Sequence, residues 1–421
     1  MTRRSVRTRG AVAMVLAAAS VLLMATPAAA DEIRDRQYWL ADYGIERAWA
    51  TTRGAGVTVA VIDTGVDGSV QDLAGAVVGG TDVSGLGSPD GQTPVGDDSG
   101  HGTLVASMLA GRGHGAGGAD GVIGVAPEAD LLAVSVGFGV SGRSSDEQIA
   151  EAVRWSVDNG ADVINMSLTR NTLEWPESWD DAFLYAMEND VVIVAAAGNR
   201  GSGTTEVGAP ATMPGVLTVA GVDRAGRASF DASSQGITIS VSAPSEDLVG
   251  AGPGEQYFSW AGTSGAAPLV AGLVALVRAA HPELDADNVI NRLIATADPV
   301  GAAPSPIYGY GLIDGAAAVT AEVPLVDANP MGDLTEWIRL YRRADSGAVP
   351  PAAPSTTPSP PTPSREPLGG PDEVDPWVAM LPTSTTIRAV GVPMFVFGLF
   401  GGGLAICITL AVRQYRRLPR E

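Results

Sequence analysis

From about Gln37 to Ala318 the chain alternates short runs rich in Val, Ile and Ala with longer stretches of helical periodicity. Val57-Thr-Val-Ala-Val-Ile62, Ala161-Asp-Val-Ile-Asn-Met166 and Val191-Val-Ile-Val-Ala195 are apolar or nearly so. Such strands offer no face to water, so they belong in a sheet covered on both sides. Between the first two, the pattern predicts a helix from Ser145 to Asn159. Ser145 is placed to cap it, Asp146 and Glu147 suit its positive end, and Gly160 lies just past its last turn. The alternation predicts an α/β fold with a mainly parallel sheet and helices on both faces.

The two ends follow different patterns. Arg3, Arg4, Arg7 and Arg9 precede an apolar run from Ala11 to Ala25, and Ala28, Ala29 and Ala30 follow. A basic head, a short apolar stretch and an Ala-x-Ala end read as a secretory signal peptide cleaved after Ala30. Ala389 to Val412 carries no charge, with Arg388 before it and Arg413, Arg416, Arg417 and Arg420 after it. That run is long enough to span a bilayer, and its flanking Arg residues put the C-terminus in the cytoplasm. Val349 to Pro367 is dominated by Pro, Ser and Thr and reads as a semi-rigid stalk. The expected organisation is a signal peptide over 1–30, an extension packing on the domain over 31–52 and a catalytic domain over 53–320. A domain end over 321–348, a stalk over 349–388, one transmembrane helix over 389–412 and a cytoplasmic tail over 413–421 complete it.

Composition narrows the function. All 26 basic residues are Arg, so mechanisms that need a lysine base or Schiff base are excluded. The net charge is −21, and nine Arg but only one acid, Glu421, lie outside residues 31–387. So acidic an ectodomain repels phosphate, which argues against nucleic acid as a partner. Cys407, the single cysteine, lies inside the apolar C-terminal span, so the chain forms no internal disulfide and carries no catalytic thiol.

Three segments carry candidate chemistry. Val61-Ile-Asp63-Thr-Gly65 puts a carboxylate where a buried strand meets a turn. Ser99-Gly-His101-Gly-Thr103 puts a histidine at the start of an apolar helix, Leu104 to Ala110. Gly262-Thr-Ser264-Gly-Ala-Ala-Pro268 puts a serine at the start of another, running to about Ala280. His114, in a Gly-rich loop, and His281, before Pro282, read as solvated surface residues.

In the order Asp, His, Ser, with Asp162-Val-Ile-Asn-Met-Ser167, Ala197-Gly-Asn199 and Tyr308-Gly-Tyr-Gly-Leu-Ile-Asp314, these segments resemble the subtilisin-like serine proteases. The resemblance covers roughly Trp39 to Val319 and implies a serine endopeptidase acting on protein or peptide. It implies Ser264 as nucleophile, His101 as its base and Asp63 as the group that orients His101. It also implies Asn199 and the Ser264 N–H as oxyanion donors. Val134 to Gly139, including Gly137, and Ser167 to Thr169, including Leu168, are expected to flank the substrate. Ala195 to Gly198, including Ala197, are expected to line the primary pocket. Thr169 and Ser107 stand where the family usually has Gly. Many subtilisins bind calcium, but Asp82, Asp90, Asp97 and Asp98 match no calcium loop and read as a solvated acidic loop, so no metal or cofactor is expected.

Only about two dozen residues separate Ala30 from Val57, too few for a self-folding prodomain. Trp39, Leu40, Tyr43, Ile45 and Trp49 are therefore expected to pack on the catalytic domain. The absent prodomain, stalk and C-terminal anchor look like the mycosins, membrane-anchored subtilisin-like proteases associated with type VII secretion, although mycosins commonly carry disulfides. The likeness implies a cell-membrane location with the catalytic domain outside, and type VII secretion subunits as partners. A structural subunit with dispensable proteolysis, or a general surface protease, are the alternatives.

Overall fold

The computed structural model describes residues 32–139 and 142–345. The signal peptide, the stalk, the C-terminal apolar span and the tail lie outside the described residues.

Among the described residues the first strands are β1 (Thr58–Asp63), β2 (Val77–Asp82), β3 (Arg112–His114), β4 (Asp120–Ile123), β5 (Asp130–Ser135) and β6 (Val163–Met166). β7 (Val192–Ala196), β8 (Leu217–Val222), β9 (Ile239–Pro244), β10 (Leu248–Gly252) and β11 (Gln256–Trp260) follow. Seven of them form one parallel sheet in the order β2-β5-β1-β6-β7-β8-β9. β10 and β11 form an antiparallel hairpin, as do β3 and β4.

The period of two along β1 divides the core. Val59 and Val61 enter one apolar cluster, and Ala60 and Ile62 enter the other, on the opposite face. Helices α1 (His101–Ala110), α4 (Thr263–Ala280) and α5 (Ala286–Ala295) contribute to the first cluster. Helices α2 (Ser145–Asp158) and α3 (Glu177–Glu188) contribute to the second, and α6 (Leu334–Asp345) adds Leu334 to it. The sheet is thus covered on both faces, as continuous apolar strands require.

Two local expectations need correction. Ser144, not Ser145, caps α2: its backbone is extended and its Oγ accepts the Asp146 N–H at 3.2 Å. A cap must stand outside the helical dihedrals, and Ser145 is already helical. The first strand ends on Asp63 rather than Ile62, because its ladder with β5 continues to Ser135.

The helix α4 is long and apolar enough to cross a membrane, yet 78% of it is buried inside the domain. It is a core helix, and its many Ala and Gly residues let it lie close to the sheet.

The segment before β1 is built into the same core. Trp39, Leu40, Tyr43 and Ile45 are buried. Gln37 Nε2 donates to the Ile123 carbonyl at 2.8 Å while its Oε1 accepts the Ile123 N–H at 2.9 Å. Trp49 Nε1 donates to the Val125 carbonyl at 2.8 Å. Truncating Trp39 to Ala should therefore cost about 3–5 kcal/mol and lower the melting temperature on the order of 10 °C. Calorimetry that finds Trp39→Ala melting with the wild type would contradict this packing.

Candidate active site

The carboxyl ends of β5, β1, β6 and β7 meet where the strand order reverses, with β2 and β5 on one side of β1 and β6 onward on the other. Parallel sheets open a crevice at such a point. Asp63 is the last residue of β1, and its side chain is 2% exposed. A buried carboxylate needs hydrogen-bond donors. Its Oδ1 accepts the Thr64 N–H at 2.7 Å, and His101 Nδ1 donates to Oδ1 at 2.8 Å and lies 3.0 Å from Oδ2. Thr64 fixes this geometry from the other side. Its Oγ1 accepts the Gly102 N–H at 3.1 Å and donates to the Ser99 carbonyl at 3.2 Å, tying the start of α1 to the end of β1.

With Nδ1 committed to Asp63, the neutral His101 ring presents the Nε2 lone pair. Burial disfavours the imidazolium, but the charge of Asp63, its hydrogen bond and the nearby Asp98 more than offset it. The net effect raises the His101 pKa above its ordinary value. Trp260, at the end of β11, meets the ring edge-on at 5.7 Å. The motif around Asp63 contains Thr64 but not its bonds to Ser99 and Gly102, and Trp260 lies outside every motif, because both act across the fold.

Ser264 is the second residue of α4, so its backbone N–H belongs to the turn that lacks intrahelical acceptors. Its Oγ donates to the Ser167 carbonyl at 3.1 Å, while Ser167 Oγ donates to the Ser264 carbonyl at 2.8 Å. The partner of Ser264 Oγ in this rotamer is thus Ser167 and not His101. Asn199 Oδ1 accepts the Thr263 N–H at 2.8 Å and the Thr263 hydroxyl at 3.0 Å. Both partners are donors to it, which fixes the amide orientation with Oδ1 on the Thr263 side. Thr263 Oγ1 in turn accepts the Gly198 N–H at 3.1 Å, linking the loop after β7 to the start of α4. Gly262 makes that approach possible: its φ is +146°, and a Cβ there would stand 3.2 Å from Asn199 Nδ2.

A cleft of about 600 Å³ runs from Asp63 and His101 past Ser167, Leu168 and Phe138 to Asp146 and Arg170. Ala197 is fully buried. Gly137, expected to flank the substrate, pairs with a side chain of α2. Its N–H donates to Gln148 Oε1 at 2.8 Å, its carbonyl lies 3.4 Å from Gln148 Nε2, and it is buried.

The other histidines are not simply solvated. His114 Nδ1 donates to the fully buried Asp72 at 2.6 Å, and Asp72 Oδ2 also accepts the Val122 N–H at 2.8 Å. His281 Nε2 reaches the Val319 carbonyl at 2.7 Å. The acidic loop uses its carboxylates internally: Asp82 accepts from the Ser84 N–H at 2.9 Å and the Gly87 N–H at 2.7 Å. Among the described residues, no group of three or more His, Cys, Asp or Glu is arranged to hold a metal ion.

Residues 54–311 match the model of the subtilase family, Peptidase S8. Subtilisin DY of Bacillus licheniformis is 39% identical over 271 residues, covering 63% of this chain and 92% of the relative. A crystal structure of the mycosin MycP1 with its N-terminal propeptide removed is 32% identical with a TM-score of 0.59, covering 69% of this chain and 98% of that one. The MycP3 protease from the type VII (ESX-3) secretion system is also 32% identical with a TM-score of 0.58, covering 68% and 88%.

The Asp63–His101 geometry sets a titration. Asp63→Asn removes the charge that raises the His101 pKa and leaves the burial that lowers it, so the pKa should fall. Proton NMR of the three imidazoles tests this. A His101 pKa that stays put in Asp63→Asn would refute the pairing.

Proposed function

This chain belongs to the subtilase family and is a serine endopeptidase of that family's triad type, and we propose that Asp63, His101 and Ser264 are its triad and Asn199 its oxyanion donor. The observation that carries the assignment is the buried Asp63 carboxylate bonded to His101 Nδ1, with Ser264 at a helix N-terminus and bonded to Ser167, which lines the same cleft as Asp63 and His101. In the reaction, Ser264 Oγ turns from the Ser167 carbonyl toward His101 Nε2, gives up its proton there and attacks the scissile carbonyl carbon. The oxygen of that carbonyl takes the negative charge and accepts hydrogen bonds from Asn199 Nδ2 and the Ser264 N–H. His101 then delivers the proton to the leaving amine, and Asp63 stabilises the imidazolium in between. Water repeats the sequence on the acyl-enzyme and releases the second product.

A fluorophosphonate probe should label Ser264, and Ser264→Ala and His101→Ala should abolish labelling without unfolding the protein. Asn199→Ala should lower kcat by about two to three orders of magnitude with little change in KM. Undiminished labelling of Ser264→Ala would refute the nucleophile.

We further propose that the enzyme is held at the outer face of a cell membrane by the span over 389–412 and works with type VII secretion subunits. The Arg-flanked apolar run supports the first reading, and the likeness to MycP1 and MycP3 supports the second. MycP1 was crystallised with an N-terminal propeptide removed. In this chain the burial of Trp39, Leu40, Tyr43 and Ile45 supports treating residues 31–52 as part of the mature domain. A protease added outside intact cells should cut the stalk and release a soluble active domain; release only from opened cells would contradict the orientation. In a deletion strain, the wild type should restore secretion and Ser264→Ala should not. Full rescue by Ser264→Ala would make the structural role the dominant one.

A further inference from the structure

One border of the cleft is the start of a single loop, residues 167–176, which runs from β6 to α3. Its first residues, Ser167 to Thr172, line the cleft that also holds Asp63 and His101. Its far end is gripped by the last helix of the described residues. Trp337 of α6 packs on Trp175 with ring centres 4.3 Å apart, and Tyr341 packs on Trp337 at 5.2 Å. The Arg342 guanidinium lies 5.6 Å from the Trp175 ring and 5.3 Å from that of Trp337, and its Nη2 donates to the Trp175 carbonyl at 2.8 Å.

Asp180, in the first turn of α3, closes this latch. Its Oδ2 accepts Arg342 Nε at 2.9 Å, and its Oδ1 accepts Trp175 Nε1 at 2.7 Å. The Asp180 side chain is 10% exposed and that of Arg342 25%, so water screens this pair little, and losing the cation would strand a buried carboxylate. The neighbouring Trp179 holds a second border of the cleft. Its Nε1 donates to the Asp146 carbonyl at 2.9 Å, and Arg170, ion-paired with Asp146, lies 5.6 Å over its ring.

The loop has little slack. Residues 167–176 contain no Gly, and Pro176 stands at φ −72°. The Arg170 N–H donates to the Ala209 carbonyl at 2.7 Å, and the Ala209 N–H to the Thr172 carbonyl at 2.9 Å. A shift of Trp175 is therefore passed along the loop and not absorbed at a hinge. Ser167 is pinned separately, by its reciprocal bonds to Ser264, which leaves Leu168 to Thr172 as the part that responds.

On the reading of this cleft as the substrate site, we propose that α6 is a latch on the cleft and that Arg342 is a positioning residue for substrate binding, acting through Asp180 and Trp175 on the border from Leu168 to Thr172. Releasing the latch weakens the hold on a peptide and leaves the reactivity of Ser264 unchanged. Helix α6 ends at Asp345 and the Pro-rich run begins at Val349, so in sequence the latch sits at the root of the proposed stalk.

The test uses the full chain and two irreversible probes, a plain fluorophosphonate and a peptidyl phosphonate long enough to extend along the cleft. Arg342→Ala should slow the peptidyl probe about three- to tenfold, through weaker binding and not a lower limiting rate, while the plain probe keeps its wild-type rate. Arg342→Lys keeps the charge without the planar fork and should fall in between. Trp337→Ala leaves the ion pair intact and should shift the two rates in the same direction, which preserves the test if Arg342→Ala does not fold. Trp39→Ala destabilises the domain from the other apolar cluster and should leave the ratio of the two rates unchanged. Hydrogen exchange gives a readout independent of the serine: the Arg170 and Ala209 amides should exchange faster in Arg342→Ala and Trp337→Ala. A peptidyl rate that falls only in step with the plain probe would overturn the proposal. So would unchanged exchange at both amides, or a ratio moved equally by Trp39→Ala. No reaction of the plain probe with the wild type would instead overturn the assignment of Ser264, and hydrogen exchange would still decide the coupling.

Discussion

A carboxylate that is 2% exposed is costly to bury unless its lone pairs are met by donors, and Asp63 meets this condition with groups drawn from two elements. The Thr64 N–H comes from its own turn, and the imidazole comes from the first residue of α1. The demand of one buried charge thus fixes how α1 enters the fold. Thr64 makes the arrangement rigid by accepting from Gly102 and donating to Ser99. The strand that carries Asp63 is the one flanked by β5 and β6, where the sheet order turns, so the charge sits in a crevice. Burial alone would push His101 toward the neutral form, and the same carboxylate outweighs it.

The nucleophile side depends on a second set of bonds that crosses the sheet end. Thr263 donates twice to Asn199 and accepts from Gly198, which aims the Asn199 amide and seats Ser264 one residue later. Helix α4 can start there because Gly262 takes a φ of +146° that a larger residue would resist. Strand ends from β1, β6 and β7 and helix starts from α1 and α4 therefore converge on one small volume.

Much of this was legible in the sequence because it is local. The apolar runs at Val57, Ala161 and Val191 gave the sheet its covered strands, and the Gly-flanked Asp, His and Ser segments gave the chemistry. What escaped was long-range. Gln148 lies eleven residues from Gly137 and occupies its N–H through a side chain that helical periodicity marks only as one more helix position. His114 read as a loop residue because its partner Asp72 lies 42 residues earlier in the chain. Trp260 reaches His101 only because the β10–β11 hairpin folds back beside α1. The cap at Ser144 differs from Ser145 by one position, and adjacent serines carry the same local signal.

The convergence of these groups on a single oxyanion is best tested by a crystal structure of the protein with a peptidyl boronic acid. Boron should be bonded to Ser264 Oγ, with one boronate oxygen about 2.7–3.1 Å from both Asn199 Nδ2 and the Ser264 N–H. His101 should remain bonded to Asp63 through Nδ1 and turn Nε2 toward the adduct. Boron bonded to any other residue, or a boronate oxygen turned away from Asn199, would contradict the account.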